Sequence, residues 1–206
     1  MSTPVDLKSI EKEVFRRLFE DGLTELFLGI FLFFASILYL SGHHIPTILF
    51  GTLWVFITPT ALEKTKKKLV YPRIGYAHPH QNKKEGIGII ISTIVVLGVY
   101  IASVILLGGV NNRQLFYHWI TIPVGILVSM GFFSLYSKSG FKRYLFYIFY
   151  SLATGIGIAL NPPAAKMAGI GLFCLILGIG FAIIGSVMLG RFIKIHPIQS
   201  DFNPEA

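Results

Sequence analysis

Carboxylates and hydroxyls crowd the start of the first long apolar run. Glu20, Asp21, Thr24 and Glu25 lie within one short stretch, and Arg73 sits in a later basic loop, Tyr71-Pro72-Arg73-Ile74-Gly75-Tyr76. Proton relays use carboxylates or histidines inside the membrane, and a carboxylate at the bilayer midplane is absent here. A guanidinium presents a rigid fork of donors that matches a carboxylate or a phosphate. The sequence therefore predicts one polar cluster of Asp21, Glu25 and Arg73, with Arg73 paired to an acid and holding its loop against the bundle. Pro72 is expected to keep Tyr71 extended, and Gly75 to allow a turn.

A second candidate is the series Tyr144, Tyr147, Ser151 and Thr154, which follows helical spacing down one face. Polar side chains in membrane helices turn toward protein rather than lipid. The series is expected to pack or to line a pocket for a lipid or a small neutral solute. A third is the basic collar Lys64, Lys67, Lys68, Lys83 and Lys84, with Lys66 in the same run. Each cation near an anionic leaflet contributes about 1 kcal/mol of attraction.

Other chemistry lacks its parts. His43, His44 and His118 have no carboxylate beside them, and His78 and His80 merely flank Pro79. No metal or cofactor is expected from these residues. The motifs H-E-x-x-H and G-x-S-x-G do not occur. Glu25 is the acid that enters an apolar run, about one turn in, and no acid reaches the middle of one. The lone cysteine, Cys174, lies in an apolar run and reads as a small core residue.

The elements that must position these residues follow from composition. Hydrophobic residues make up 53% of the 206 and charged residues 14%, against about 25% charged in soluble domains. A span needs about 20 apolar residues, and six segments approach that length: 23–40, 45–62, 87–107, 116–136, 144–160 and 167–189. They are apolar all round, so they read as helices and not as the alternating strands of a barrel. Every lysine and arginine except Arg113 and Lys166 falls on one side of that arrangement, which the positive-inside rule assigns to the cytoplasm. Residues 1–22 carry Leu7, Ile10, Val14 and Leu18 opposite Lys8, Glu11, Lys12 and Arg16, the pattern of an amphipathic interfacial helix. No cleavable signal peptide is expected.

The fold expected is thus all-α: a polytopic bundle of six transmembrane helices (residues 23–190) behind an N-terminal amphipathic helix, with a cytoplasmic tail at 191–206. Gly171, Gly178 and Gly185 recur every seventh residue with Ala182 between them, a seam for close helix approach, and spans five and six are expected to pack as a tight pair. Trp54 and Trp119 read as lipid contacts or interfacial anchors. Pro59 and Pro123 read as kinks.

The Tyr71–Tyr76 loop after span two and the Glu20-Asp21-Gly22-Leu23-Thr24-Glu25 start of span one resemble a group of small uncharacterised prokaryotic multi-pass membrane proteins. The resemblance implies no activity. Function is expected to be non-enzymatic: an accessory or sensor protein of the plasma membrane, both termini cytoplasmic, binding anionic lipid, a protein partner or a second copy of itself. The +8 charge is explained by topology and not by nucleic acid. A small transporter or channel for a neutral solute or lipid, and an interfacial lipid-modifying enzyme using Asp21, Glu25 and Arg73, are the alternatives.

Overall fold

An apolar run that must satisfy its own backbone becomes a helix. In the computed structural model, which describes residues 19–42, 44–74, 119–163 and 168–197 together with Gly98 and Ala102, all regular structure is helical. The elements are α1 (Leu23–Leu40), α2 (His44–Leu69), α3 (Tyr71–Ile74), α4 (Thr121–Ser139), α5 (Lys142–Leu160) and α6 (Ala168–Ile195). Of these, α1, α5 and α6 are long and apolar enough to cross a membrane, while the apolar stretch of α4 is shorter, Thr121–Ser137. Expectations for residues 1–18, the segment 87–107 apart from Gly98 and Ala102, Gly75, Lys83, Lys84, His43, His78, His80 and His118 lie outside the described residues.

Helix ends depart from the apolar boundaries where charge begins. α2 continues to Leu69 through the lysine run, and α6 continues to Ile195 past Arg191 and Lys194. Lysine and arginine are good helix formers, so the apolar stretch can end while the helix goes on. The 28 residues of α6 span about 42 Å at 1.5 Å per residue, longer than about 30 Å of hydrocarbon. α4 begins at Thr121, which places Pro123 in the first turn. Its missing N–H is not needed there, so it opens the helix and does not kink its middle. Gly140, at φ 69°, donates its N–H to the Tyr136 carbonyl, and the extended Phe141 then starts α5, so α4 and α5 form a hairpin.

The glycine seam of α6 faces α1, and the expected pairing with span five is corrected accordingly. A Cβ on Gly178 would sit 2.7 Å from the Phe33 nitrogen, and one on Gly185 would sit 2.5 Å from the Leu26 nitrogen. Gly29 in turn lies against the backbone of Ala182 and Gly178, and Gly171 lies against Leu40. α1 thus runs antiparallel to α6 with backbones nearly touching. The reason is a matching series on α1: Gly22, Gly29 and the fully buried Ser36 also recur every seventh residue. The small residue of α5, Gly155, meets Thr121 and Gly125 of α4 instead, with the Thr121 hydroxyl donating to the Gly155 carbonyl at 2.9 Å.

Phe132, Tyr144, Tyr147, Phe173, Leu177 and Phe181 form the core shared by α4, α5 and α6. Phe34, Phe56, Phe133, Phe149, Ile183 and Val187 point outward, as suits helices whose solvent is lipid. Trp54, half-buried, stacks on Phe31 at 5.6 Å and lies 6.4 Å from Phe27, packing α2 on α1.

Gly178→Ala and Gly185→Ala are each expected to destabilise the fold by about 1–3 kcal/mol through overpacking. Gly157→Ala, which meets nothing within 4 Å, should leave it unchanged. Thermal midpoints in one detergent test this; equal midpoints for all three variants would remove the α1–α6 clasp.

Candidate functional site

The polar site forms where the clasp meets the basic ends of α2, α5 and α6. Gly22 takes the left-handed conformation, φ 72°, directly before α1, and a Cβ there would lie 2.6 Å from that of Met188. This turn swings the preceding residue inward. Asp21 is 0% exposed. Its Oδ1 accepts the Leu23 N–H at 2.9 Å, and its Oδ2 stands 3.3 Å from Lys66 Nζ. Burial pushes the Asp21 carboxyl above its ordinary range, and the Lys66 charge only partly opposes that.

The lysine run divides by helical geometry. Lys64, Lys67 and Lys68 are exposed on α2, while Lys66, on another face, turns in to Asp21 and lies 5.2 Å over the Phe19 ring. Lys67 pairs with Glu63 at 2.9 Å on the surface, where such pairs contribute little.

Glu25 is one turn further into α1 and 3% exposed. Its partner is Arg143, from the start of α5, whose Nη2 is 3.2 Å from Oε1. The same guanidinium donates to the Phe19 carbonyl, to the Tyr144 hydroxyl at 3.3 Å and, through Nη1, to Met188 Sδ at 3.2 Å. It also covers the Phe141 ring at 4.4 Å. The Glu25–Arg143 contact is an ion pair without hydrogen-bond alignment. Both Glu25 oxygens, Arg143 Nε, the Tyr147 hydroxyl, Thr24 Oγ1 and Asp21 Oδ2 are buried with no hydrogen-bond partner among the described residues.

Arg73 does not complete this cluster. Its Nε donates to the Leu69 carbonyl at 2.9 Å and its Nη1 to the carbonyls of His196 at 2.7 Å and Ile193 at 3.4 Å. The expected pairing with Asp21 or Glu25 is corrected: Arg73 caps the C-terminal end of α6, where unsatisfied carbonyls concentrate negative partial charge. The extension of α6 brings that end within reach. Tyr71 is not extended either; it opens the single helical turn α3, with Pro72 in its first turn.

The hydroxyl stripe is packed. Tyr144 and Tyr147 are core residues, 1% exposed. Ser151 meets the Ser129 hydroxyl of α4 at 2.6 Å, and Thr154 bonds to the Tyr150 carbonyl of its own helix at 2.7 Å. Tyr144 belongs to the polar cluster through Arg143. Cys174 is a buried free thiol, and no group of three His, Cys, Asp or Glu side chains that could hold a metal occurs among the described residues.

A groove of about 300 Å³ opens beside the cluster. Arg143, Arg191 and His196 supply its cationic or polar side, Glu20 an acidic edge, and Phe141, Met188, Phe192 and Ile195 its apolar walls. The sequence reading missed it, because Arg191 was assigned to a tail. The signal was present: Met188, Arg191, Phe192 and Ile195 recur at three- and four-residue steps, one face of a helix that does not stop at residue 189.

Removing one member of a buried ion pair strands the other, at about 3–5 kcal/mol. Glu25→Ala is therefore expected to lower stability by about that much, and Glu25→Leu combined with Arg143→Met to recover most of it, as a double-mutant cycle of thermal unfolding would read. Asp21 adds a pH term. Its folded pKa lies above the unfolded value of 3.8, so its contribution is greatest below that value and is lost as pH rises through the folded pKa. Asp21→Asn should remove this component from a stability–pH profile; an unchanged slope would contradict it.

A scan against protein-family models and searches of curated proteins and of solved structures found no match for this chain.

Proposed function

We propose that the chain is a six-span plasma-membrane protein with both termini cytoplasmic, a member of the small prokaryotic multi-pass group its loop resembles. In this reading it acts without catalysis, by binding an anionic lipid headgroup at its cytoplasmic end. The cation asymmetry supports the orientation. The exposed Lys64, Lys67 and Lys68 fit general attraction to an anionic leaflet.

One observation carries the binding reading: the groove unites cations with apolar walls at a helix end. Arg191 is exposed at its rim. Arg143 spends Nη1 on the Met188 thioether, a weak acceptor that a phosphate oxygen would readily replace. Phe141, Phe192 and Ile195 offer the upper acyl chain an apolar wall. The transporter reading loses its proposed lining, because the Tyr144–Ser151 stripe is occupied by packing and interhelical hydrogen bonds.

Native mass spectrometry from nanodiscs tests the assignment. Phosphatidylglycerol should be retained over phosphatidylcholine, and Arg191→Glu should weaken retention about tenfold, from the loss and reversal of one near-surface charge. Triple alanine substitution of Lys64, Lys67 and Lys68 should lower attraction to all anionic lipids without changing their ranking. Equal retention of both lipids, or equal binding of inorganic phosphate, would refute a lipid-headgroup site.

A further inference from the structure

Arg143 serves two places at once. It lines the groove, and it is the 3.2 Å partner of Glu25. Its hold on Glu25 rests on charge, since neither Glu25 oxygen has a hydrogen-bond partner among the described residues. Glu25 is 3% exposed, so it cannot exchange its partner for water. The Tyr147 hydroxyl is 1% exposed and has no hydrogen-bond partner among the described residues. The charged and titratable groups facing Glu25 are Arg143, Asp21 and Lys66, with the phenols of Tyr144 and Tyr147. With Asp21, Lys66, Glu25 and Arg143 all ionised, two negative charges balance two positive ones.

We infer that Glu25 is a proton-binding site linked to the groove: an anionic phosphate that draws Arg143 outward leaves Glu25 to take up a proton. The reasoning follows the charge. Anion and carboxylate compete for one guanidinium. A buried carboxylate stripped of its counter-charge carries a large desolvation cost, and a proton from solvent removes it. The protonated acid is neutral, and its burial no longer carries the cost of an uncompensated charge. No covalent bond changes; one proton passes from water to Glu25 as the anion enters, and returns as it leaves. Linkage makes the effect reciprocal: acid strengthens anion binding, and anion binding drives proton uptake.

This inference rests on the groove binding anionic headgroups, and the experiment separates the two. Short-chain phosphatidylglycerol, whose phosphodiester keeps its charge throughout, is titrated calorimetrically into the detergent-solubilised full chain across about pH 5 to 8, in buffers of different ionisation enthalpy. Wild-type protein should take up close to one proton per lipid, with affinity falling up to about tenfold per pH unit on the alkaline side. Glu25→Gln should bind with no proton uptake and a flat profile. Glu20→Gln and His196→Gln, which change the other titratable groups lining the groove, should keep the slope. Wild-type binding without proton uptake in any buffer overturns the linkage and leaves the groove standing. A slope that survives in Glu25→Gln but disappears in His196→Gln or Glu20→Gln also overturns it. Absence of binding at every pH removes the groove reading itself. The wild-type proton count needs no variant to fold.

Discussion

Helices surrounded by lipid gain nothing from hiding apolar surface in one another, because the tails are as apolar as leucine. What holds them is close approach, and here that approach joins the first described helix to the last. Gly22, just before α1, and Gly29 within it face Gly178, Ala182 and Gly185 on α6 at distances no side chain would allow. Everything at the basic end depends on this contact. It fixes the left-handed turn at Gly22, buries Asp21, and sets Glu25 beside the start of α5. The α4–α5 hairpin then delivers Arg143, and the overlong end of α2 delivers Lys66.

The four buried charges do not explain stability by themselves. Burying ion pairs costs desolvation that the attraction repays only with good geometry and full hydrogen bonding, and this cluster has neither throughout. Six of its polar atoms have no hydrogen-bond partner among the described residues, where a well-satisfied core leaves very few. Arg73 shows the contrasting case nearby. It donates to three backbone carbonyls, that of Leu69 at the end of α2 and those of Ile193 and His196 at the end of α6, a structural role. The incompleteness is therefore concentrated in the Asp21–Glu25–Arg143 cluster, with Thr58 Oγ1 of α2 the further buried atom without a hydrogen-bond partner among the described residues.

Much of this was legible in the residues. The bounds of α1 coincide with its apolar run, since charge and turn residues flank it on both sides. The inward direction of Lys66 was implicit in helical spacing, which puts Lys64, Lys67 and Lys68 together and Lys66 elsewhere. The glycine series of α6 announced a close approach, but its partner was misread. Span five offered hydroxyls that looked like a complement, whereas α1 offered the better one, Gly22, Gly29 and Ser36 at the same seven-residue step. The destination of Arg73 could not be read, because its acceptors are carbonyls, and carbonyls are common to every residue. The groove was hidden by assuming that α6 ends where hydrophobicity ends.

The two arginines of the groove divide its work by their surroundings. Arg191 is exposed, so it acts through its field, which water and salt attenuate. Arg143 is largely buried, its side chain 17% exposed, and touches a carboxylate, a carbonyl, a phenol and a thioether together. A lysine ammonium, compact and with three donors, could not span those four acceptors. In the proposed binding reading, the fork of a guanidinium can keep some of these contacts while surrendering the weakest, the thioether, to a phosphate oxygen. On that proposal the site needs arginine at 143 for its geometry and only a positive charge at 191.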